Sequence, residues 1–175
     1  MIGSTSGGLR MVRDSTTSVK RFSMELGGNA PVIVAPSADL AAAAAHVIGN
    51  KMRCAGQTCV APQRAFVHRS VYQEFLELCT KIASDAQCGT LDEQANTGPL
   101  IDEASVVRME SLVADAVEKG AKIVCGGARP ADKKVGCYFL PTILTDVTPD
   151  MRVFREEVFG PLLTLLPYDT EEDAI

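Results

Sequence analysis

The hydrophobic positions of the chain fall into short apolar runs separated by longer segments with helical spacing. The run Pro31–Ala35 is continuously apolar, which is typical of a strand buried on both faces of a parallel sheet. Val19–Leu26 alternates like a half-buried strand and stops at a pair of glycines. The other predicted strands are Gln63–His68, Lys122–Cys125, Tyr138–Leu140, Thr142–Val147 and Leu162–Pro167.

Helical spacing of apolar residues recurs between these runs. Ser37 or Asp39 can cap an alanine-rich helix that continues to about Arg53. The other predicted helices are Ser6–Asp14, Val71–Ala86, Glu103–Lys119 and one that begins near Asp169 and is cut off at Ile175. Strands that alternate with helices predict an α/β fold, with three αβα layers around a largely parallel sheet.

Composition predicts one soluble globular unit, because 175 residues with 46% hydrophobic content can bury a sizeable core. The net charge is −5, and no block of lysine and arginine is dense enough to follow a phosphate backbone, so nucleic acid is not an expected partner. The longest apolar run, around Ala41–Ala45, is too short to span a bilayer, and the first residues do not resemble a signal peptide. No membrane partner is expected.

The cysteines indicate a reducing environment. The chain has six cysteines and two histidines, and no Cys-x-x-Cys spacing occurs. Because the core is large enough without disulfides, reduced thiols are expected, in the cytosol or another reducing compartment. His46 and His68 lack metal-ligand spacing and are interpreted as structural, so no metal site is predicted.

Cys59 and Glu25 are the residues with the clearest chemical potential, since each stands beside glycines. A thiolate is the strongest side-chain nucleophile near neutral pH, and a poised carboxylate can activate water. The pair suits covalent attack on a carbonyl followed by hydrolysis of the adduct. Taken alone, a single cysteine is more often a buried apolar residue, and a glutamate at a strand end is more often a cap.

Three motifs, taken together, resemble those of the aldehyde dehydrogenase superfamily. They are the general-base motif Glu25–Asn29, the nucleophile region Asn50–Cys59 and the segment Glu156–Pro161. The resemblance extends from Gly3 to Ile175 and implies the α/β catalytic domain of that superfamily.

The resemblance implies a covalent mechanism. Cys59 would attack an aldehyde while a backbone N–H, such as its own, faces the oxyanion. The thiohemiacetal would then give up hydride to a nicotinamide and leave a thioester. Glu25 would act as the general base for hydrolysis of that thioester. Desolvation at the end of a buried strand would make its carboxylate a better proton acceptor.

NAD or NADP is the cofactor that the resemblance implies. Glu157 would hydrogen-bond the hydroxyls of the nicotinamide ribose, since a carboxylate accepts two such bonds at once, and Phe159 would pack beside the nicotinamide. Ser4, in the turn Gly3–Thr5, would face the pyrophosphate at a helix N-terminus. The residues that distinguish NAD from NADP in this superfamily lie outside the chain.

Within the superfamily, the chain is most similar to succinate-semialdehyde dehydrogenases. Arg53 matches an arginine that binds the far carboxylate of the substrate in those enzymes, a task that suits a guanidinium. The alternative is a helix-terminal arginine that pairs with a surface acid or the helix dipole. Succinic semialdehyde or a similar acid semialdehyde is therefore the expected substrate. Ala61 stands where some of these enzymes have the second cysteine of a regulatory disulfide, so that switch is not expected.

The chain resembles a piece of a larger protein. Residues 1–19 correspond to the end of a cofactor-binding domain, and residues 20–175 correspond to a catalytic domain truncated at its C-terminal side. The resemblance implies a cytoplasmic homo-oligomer for the full-length protein, or a mitochondrial matrix enzyme if a transit peptide lies outside this chain.

Two other functions stay open at this point. One is an acylating relative that passes the thioester to coenzyme A; such relatives often lack the glutamate, so Glu25 argues against it. The other is a truncated product without catalysis, and the isolated fragment is predicted to be inactive.

Overall fold

Five strands form one mixed sheet in the computed structural model, which describes residues 1–133 and 135–175. The strands are β1 Pro31–Val34, β2 Arg64–His68, β3 Lys122–Cys125, β4 Thr142–Thr145 and β5 Leu162–Tyr168. Their order across the sheet is β1-β2-β5-β4-β3. All neighbours pair in parallel except β3, which runs antiparallel to β4 at one edge. The largely parallel sheet is thus confirmed.

Side-chain caps define where several helices begin. Asp39 is the cap of the alanine-rich helix, because its Oδ1 accepts a hydrogen bond from Ala42 N at 3.0 Å. Thr170 and Asp173 form a capping box at the last helix. The helices are α1 Thr5–Asp14, α2 Leu40–Met52, α3 Arg69–Asp85, α4 Glu103–Glu118, α5 Arg152–Arg155 and α6 Glu171–Ala174. A 3-10 turn, Arg53–Gly56, follows α2. Within the described ranges, no helix is both long and apolar enough to cross a membrane.

Helices cover both faces of the sheet, and each face has its own core. Along β5, Leu163 and Leu165 belong to the core beneath α2 and α3, whereas Leu162 and Leu166 belong to the core beneath α4. The buried residues of α4 recur at helical spacing: Val106, Met109, Leu112, Val113 and Ala116. This arrangement confirms the predicted three-layer α/β fold.

The prediction of a strand at Val19–Leu26 is wrong. Only Glu25 in this stretch forms a bridge, with Ile2. Val19 and Phe22 are exposed, so the alternating pattern has no core to face. Without a buried face or a neighbouring strand, alternation alone does not stabilise a strand.

The predicted strand Tyr138–Leu140 is also wrong. Tyr138 and Phe139 are buried, but the backbone N–H of Leu140 donates to Ala128 O in a loop, at 2.9 Å. Pro141 follows and has no N–H to continue a ladder. The segment is therefore a buried loop, which is why its apolar run resembled a strand. The single-turn helix α5 was not predicted.

Candidate active site

A cleft of about 920 Å³ opens where the segment before α1 meets the loops around Cys59 and Glu157. Five of the predicted site residues line it, and we call it the central cleft: Ser4, Glu25, Cys59, Glu157 and Phe159. The structure therefore brings the three sequence motifs and the first helix N-terminus to one place, although Ser4 and Phe159 lie 155 positions apart along the chain. Among the described residues, no group of three or more histidine, cysteine, aspartate or glutamate side chains is arranged to hold a metal ion.

The loop that leads to Cys59 begins with a left-handed turn. Residues 54–56 have φ values of 51°, 53° and 71°, a region that costs a non-glycine residue roughly 1–2 kcal/mol. Gln57 secures the turn, because its Nε2 donates to Cys54 O at 2.9 Å and its Oε1 accepts from Ile101 N at 2.8 Å. The turn leaves Cys59 exposed at the central cleft.

Gly56 is required for two reasons in this turn. Its φ is positive, and a Cβ at this position would overlap the backbone carbonyl of Gly160. The nucleophile loop is thereby held in direct backbone contact with the end of the Glu156–Pro161 motif.

The general-base motif approaches both of the other motifs through its glycines. A Cβ at Gly27 would overlap the carboxylate of Glu157, and a Cβ at Gly28 would lie 2.9 Å from the carbonyl oxygen of Cys59. Gly28 N also donates to Glu157 Oε1 at 3.1 Å. The Gly-Gly pair therefore sets the spacing between the thiol loop and the Glu157 carboxylate.

Glu25 is held through its backbone rather than by a sheet. Its N–H donates to Met1 O at 2.9 Å, and its carbonyl accepts from Gly3 N at 3.0 Å. The side chain is exposed, which corrects the expectation that it ends a buried strand. The two backbone bonds place Glu25 beside the segment that ends at Ser4.

Ser4 is the N-cap of α1, which begins at Thr5, one residue before the predicted helix. Its Oγ accepts a hydrogen bond from Gly7 N at 3.1 Å and lies 3.1 Å from Ser6 Oγ. The hydroxyl is thus bonded to the helix itself. The other N–H groups of the first turn point out of the N-terminus of α1, where an anion is favoured.

Glu157 and Phe159 lie on the irregular segment between α5 and β5. Arg108, on α4, donates from Nη2 to Glu157 O at 2.9 Å and to Glu156 Oε2 at 3.0 Å. Phe159 has a φ of 50°, and its side chain stays 46% exposed at the central cleft. Sequence reasoning missed Arg108, since a lone arginine on a helix resembles an ordinary surface charge.

Lys51 is an unexpected buried cation at the end of α2. The residue is 1% exposed, and this burial lowers the pKa of its amine from the ordinary value to about 7. The negative charge of Glu157 offsets part of that effect. Lys51 lies two positions before the 3-10 turn that begins at Arg53. The sequence gives no sign of this burial, because a lysine at helical spacing is ordinarily exposed.

Arg53 does not line the central cleft. It begins the 3-10 turn after α2 and is exposed, and its backbone N–H donates to Gly49 O. Its guanidinium makes no hydrogen bond or ion pair with the residues that the structure describes. The structure therefore separates it from the five residues above, and its assignment to the substrate stays a prediction.

In the native chain, iodoacetamide should label Cys59 first. Cys59 is exposed at the central cleft, whereas Cys79 is fully buried, and burial raises the pKa of Cys79 to about 12. Burial also raises the pKa of Cys125. Mass-spectrometric peptide mapping at short reaction times gives the order, with the exposed Cys54 as an internal comparison. First labelling at Cys79 or Cys125 would contradict the prediction.

Comparison with known proteins gives the class. The aldehyde dehydrogenase family matches residues 1–175. The chain belongs to the aldehyde dehydrogenase family, which confirms the resemblance of its motifs.

Two relatives within the family show which enzymes the chain is similar to. Over 174 residues the chain is 44% identical to the NADP(+) succinate-semialdehyde dehydrogenase GabD of Escherichia coli K12, which covers 99% of this chain and 36% of that protein. It is 42% identical over 174 residues to 3-sulfolactaldehyde dehydrogenase of Pseudomonas putida, covering 99% of this chain and 35% of that protein. The chain thus spans little more than a third of the length of these relatives.

A solved structure shows the same fold. The structure of 3,6-anhydro-L-galactose dehydrogenase in complex with NAP superposes with a TM-score of 0.94 at 36% identity. The match covers 99% of this chain and 37% of that chain. The arrangement of sheet, helices and loops described above is therefore that of an aldehyde dehydrogenase domain.

Proposed function

We propose that the complete protein containing this chain oxidises an aldehyde to a carboxylate with NAD or NADP. The observation that carries the proposal is the position of Cys59, Glu25 and Glu157 around one cleft. Membership of the aldehyde dehydrogenase family supports it. Residues 1–19 are proposed to end a cofactor-binding domain, and residues 20–175 to belong to the catalytic domain.

Cys59 is the proposed nucleophile. Its sulfur attacks the aldehyde carbon and forms a thiohemiacetal, while a backbone N–H of the loop stabilises the oxyanion. Loss of hydride from that carbon leaves a thioester on Cys59. The exposure of the thiol at the central cleft gives a substrate access to it.

Glu25 is the proposed base for the second half of the reaction. It takes a proton from a water molecule, the hydroxide attacks the thioester carbon, and the C–S bond breaks to release the acid and the Cys59 thiol. The contact between Gly28 and the Cys59 carbonyl keeps the base segment against the nucleophile loop. Retention of a base at this place disfavours transfer to coenzyme A.

The residues of the cleft fit a nicotinamide dinucleotide. A volume of about 920 Å³ is in the range of ligand sites. The Glu157 carboxylate has acceptor capacity beyond its bond to Gly28 N, which suits a ribose diol, and the exposed ring of Phe159 offers an apolar face. The first turn of α1, capped by Ser4, suits the pyrophosphate. When bound, the oxidised dinucleotide supplies the hydride acceptor.

The proposed substrate is an aldehyde with an anionic group at its far end, such as succinic semialdehyde. One of the relatives above is named for succinic semialdehyde, and the other for an aldehyde that carries a sulfonate. Arg53 is the proposed partner of that anion, because its exposed guanidinium lies only six positions before Cys59 and has no partner among the described residues.

The complete enzyme should reduce NAD or NADP with succinic semialdehyde more efficiently than with butanal, which lacks the carboxylate. A charge-assisted hydrogen bond to Arg53 predicts a preference of roughly ten- to a hundredfold in kcat/KM. Ultraviolet absorbance of the reduced nicotinamide measures both rates. Arg53→Met should remove the preference and leave the rate with butanal unchanged. Absence of reduction with either aldehyde would refute the proposed function.

Two control measurements separate the alternatives. The isolated chain should show negligible turnover, because positioning of the hydride acceptor contributes about 7–11 kcal/mol and most of the relatives' length is absent. Coenzyme A should not change the rate of the complete enzyme. A rate that depends on coenzyme A would favour the acylating reaction instead.

A further inference from the structure

Gln63 is a buried polar residue that connects the three motifs. It lies four positions after Cys59, just before β2, and is 3% exposed. Its backbone N–H donates to the carbonyl oxygen of Ala30, directly after the general-base motif, at 3.0 Å. Its backbone carbonyl accepts from Thr164 N at 2.9 Å and from Thr164 Oγ1 at 3.1 Å. The backbone of Gln63 is therefore fixed on both sides.

The side-chain amide of Gln63 holds the peptide groups on both sides of Glu157. Its Nε2 donates to Glu156 O at 2.6 Å and more weakly to Val153 O at 3.3 Å. Its Oε1 accepts from Val158 N at 2.7 Å. One amide thus satisfies the peptide carbonyl before Glu157, in a part-buried bond, and the peptide N–H after it, in a buried bond.

This clamp matters because the segment has no regular structure of its own. Glu157 lies between the single-turn helix α5 and β5, so no helix or sheet ladder fixes its backbone. Besides Gln63, the hydrogen bond from Arg108 to Glu157 O restrains the same peptide group. If the amide were lost, a buried N–H and carbonyl would seek other partners and the peptide planes would rotate. A carboxylate packed against Gly27 would move with them.

We propose that Gln63 is a positioning residue that orients Glu157 for the dinucleotide ribose. The inference rests on the proposed function, because it takes the ribose as the partner of Glu157. Gln63 itself does not line the cleft, so its effect reaches the ligand only through the Glu156–Val158 backbone. Its loss should therefore weaken binding of the dinucleotide without blocking access to Cys59.

The test is Gln63→Met in the complete enzyme, since methionine keeps the side-chain volume and removes all three hydrogen bonds. Calorimetric titration should show the dissociation constant of the dinucleotide rising about tenfold or more, while the rate of Cys59 alkylation stays unchanged. Gln63→Asn keeps the amide on a shorter stem and should give an intermediate constant. It also provides the measurement if the methionine variant does not fold.

Thr142→Val is the matched control for a general loss of stability. Thr142 is also buried, and its side chain bonds Gly127 N and Leu140 O, neither of which lines the cleft. Valine keeps the backbone N–H of Thr142 that donates to Pro161 O. This variant should lower the melting temperature but leave the dissociation constant as in wild type. A Gln63 variant that binds the dinucleotide like wild type would overturn the positioning role alone. A wild-type enzyme that binds no dinucleotide would overturn the proposed function and this inference together.

Discussion

Replacing Glu25 by glutamine should separate the two halves of the proposed reaction. In the complete enzyme we expect the first turnover to produce a stoichiometric burst of reduced nicotinamide, because thioester formation needs Cys59 but not the base. Steady-state turnover should fall by about 10²–10⁴-fold, the usual contribution of a general base. Stopped-flow absorbance measures burst and steady state in one experiment.

The exposed Glu74 on α3 provides the matched control. Glu74→Gln makes the same chemical change far from the cleft, so both phases should match wild type. Loss of the burst in Glu25→Gln would show that Glu25 acts earlier, on the Cys59 thiol. Unchanged turnover would make Glu25 structural, with its backbone bonds to Met1 and Gly3 as its role.

Lys51→Met should stabilise the chain at neutral pH. In the unfolded chain the amine holds its proton up to a pH of about 10.4. In the folded chain burial lowers the pKa of Lys51 to about 7. Well below pH 7, both states are charged and the full penalty of burying the ammonium is present, and near pH 7 most of it remains. Methionine removes that penalty, which should raise the free energy of unfolding by roughly 2–4 kcal/mol.

The stability of the wild-type chain should increase with pH because of Lys51. Between about pH 7 and pH 10 the unfolded state binds more protons at Lys51, so wild-type stability should rise by about 1.4 kcal/mol per pH unit from this group. The difference between Lys51→Met and wild type should shrink over the same interval. Urea unfolding of the reduced 175-residue chain at several pH values measures both. The control is Lys81→Met, at an exposed ion pair with Asp85, which should show neither change. A difference between Lys51→Met and wild type that stays constant at all pH values would contradict the mechanism.

Most of the order of elements could be predicted because each element depends on local sequence, whereas the five cleft residues were predicted from the resemblance of their motifs to a known family. The short apolar run Pro31–Ala35 predicts β1, and Asp39 predicts the start of α2. The expected burial of that strand on both faces is wrong, because β1 lies at the edge of the sheet and Ile33 is 53% exposed. The glycine-flanked motifs at Glu25 and Cys59 encode tight approaches of backbone. That these motifs meet in one cleft was expected only from their resemblance to the aldehyde dehydrogenase family, because no local pattern indicates which distant loops are in contact.

The residues that were missed act over long separations. Gln63 reaches partners 90–95 positions away, and nothing around it distinguishes it from a polar residue at a strand end. The burial of Lys51 likewise depends on what packs over the end of α2. The strand prediction at Val19–Leu26 was wrong for the opposite reason. The local alternation is present, but among the described residues no core covers its apolar side chains.

The contacts at Gly27, Gly28 and Gly56 have a consequence for engineering. At each of them a backbone of one loop touches the backbone or carboxylate of another, without a side chain between them to absorb a change in path. If one loop alone were grafted from a relative of different specificity, its different backbone path would clash with the other two loops at these close contacts. Grafting should succeed only when all three loops are replaced together, so substrate specificity can be exchanged only by changing the three loops at once.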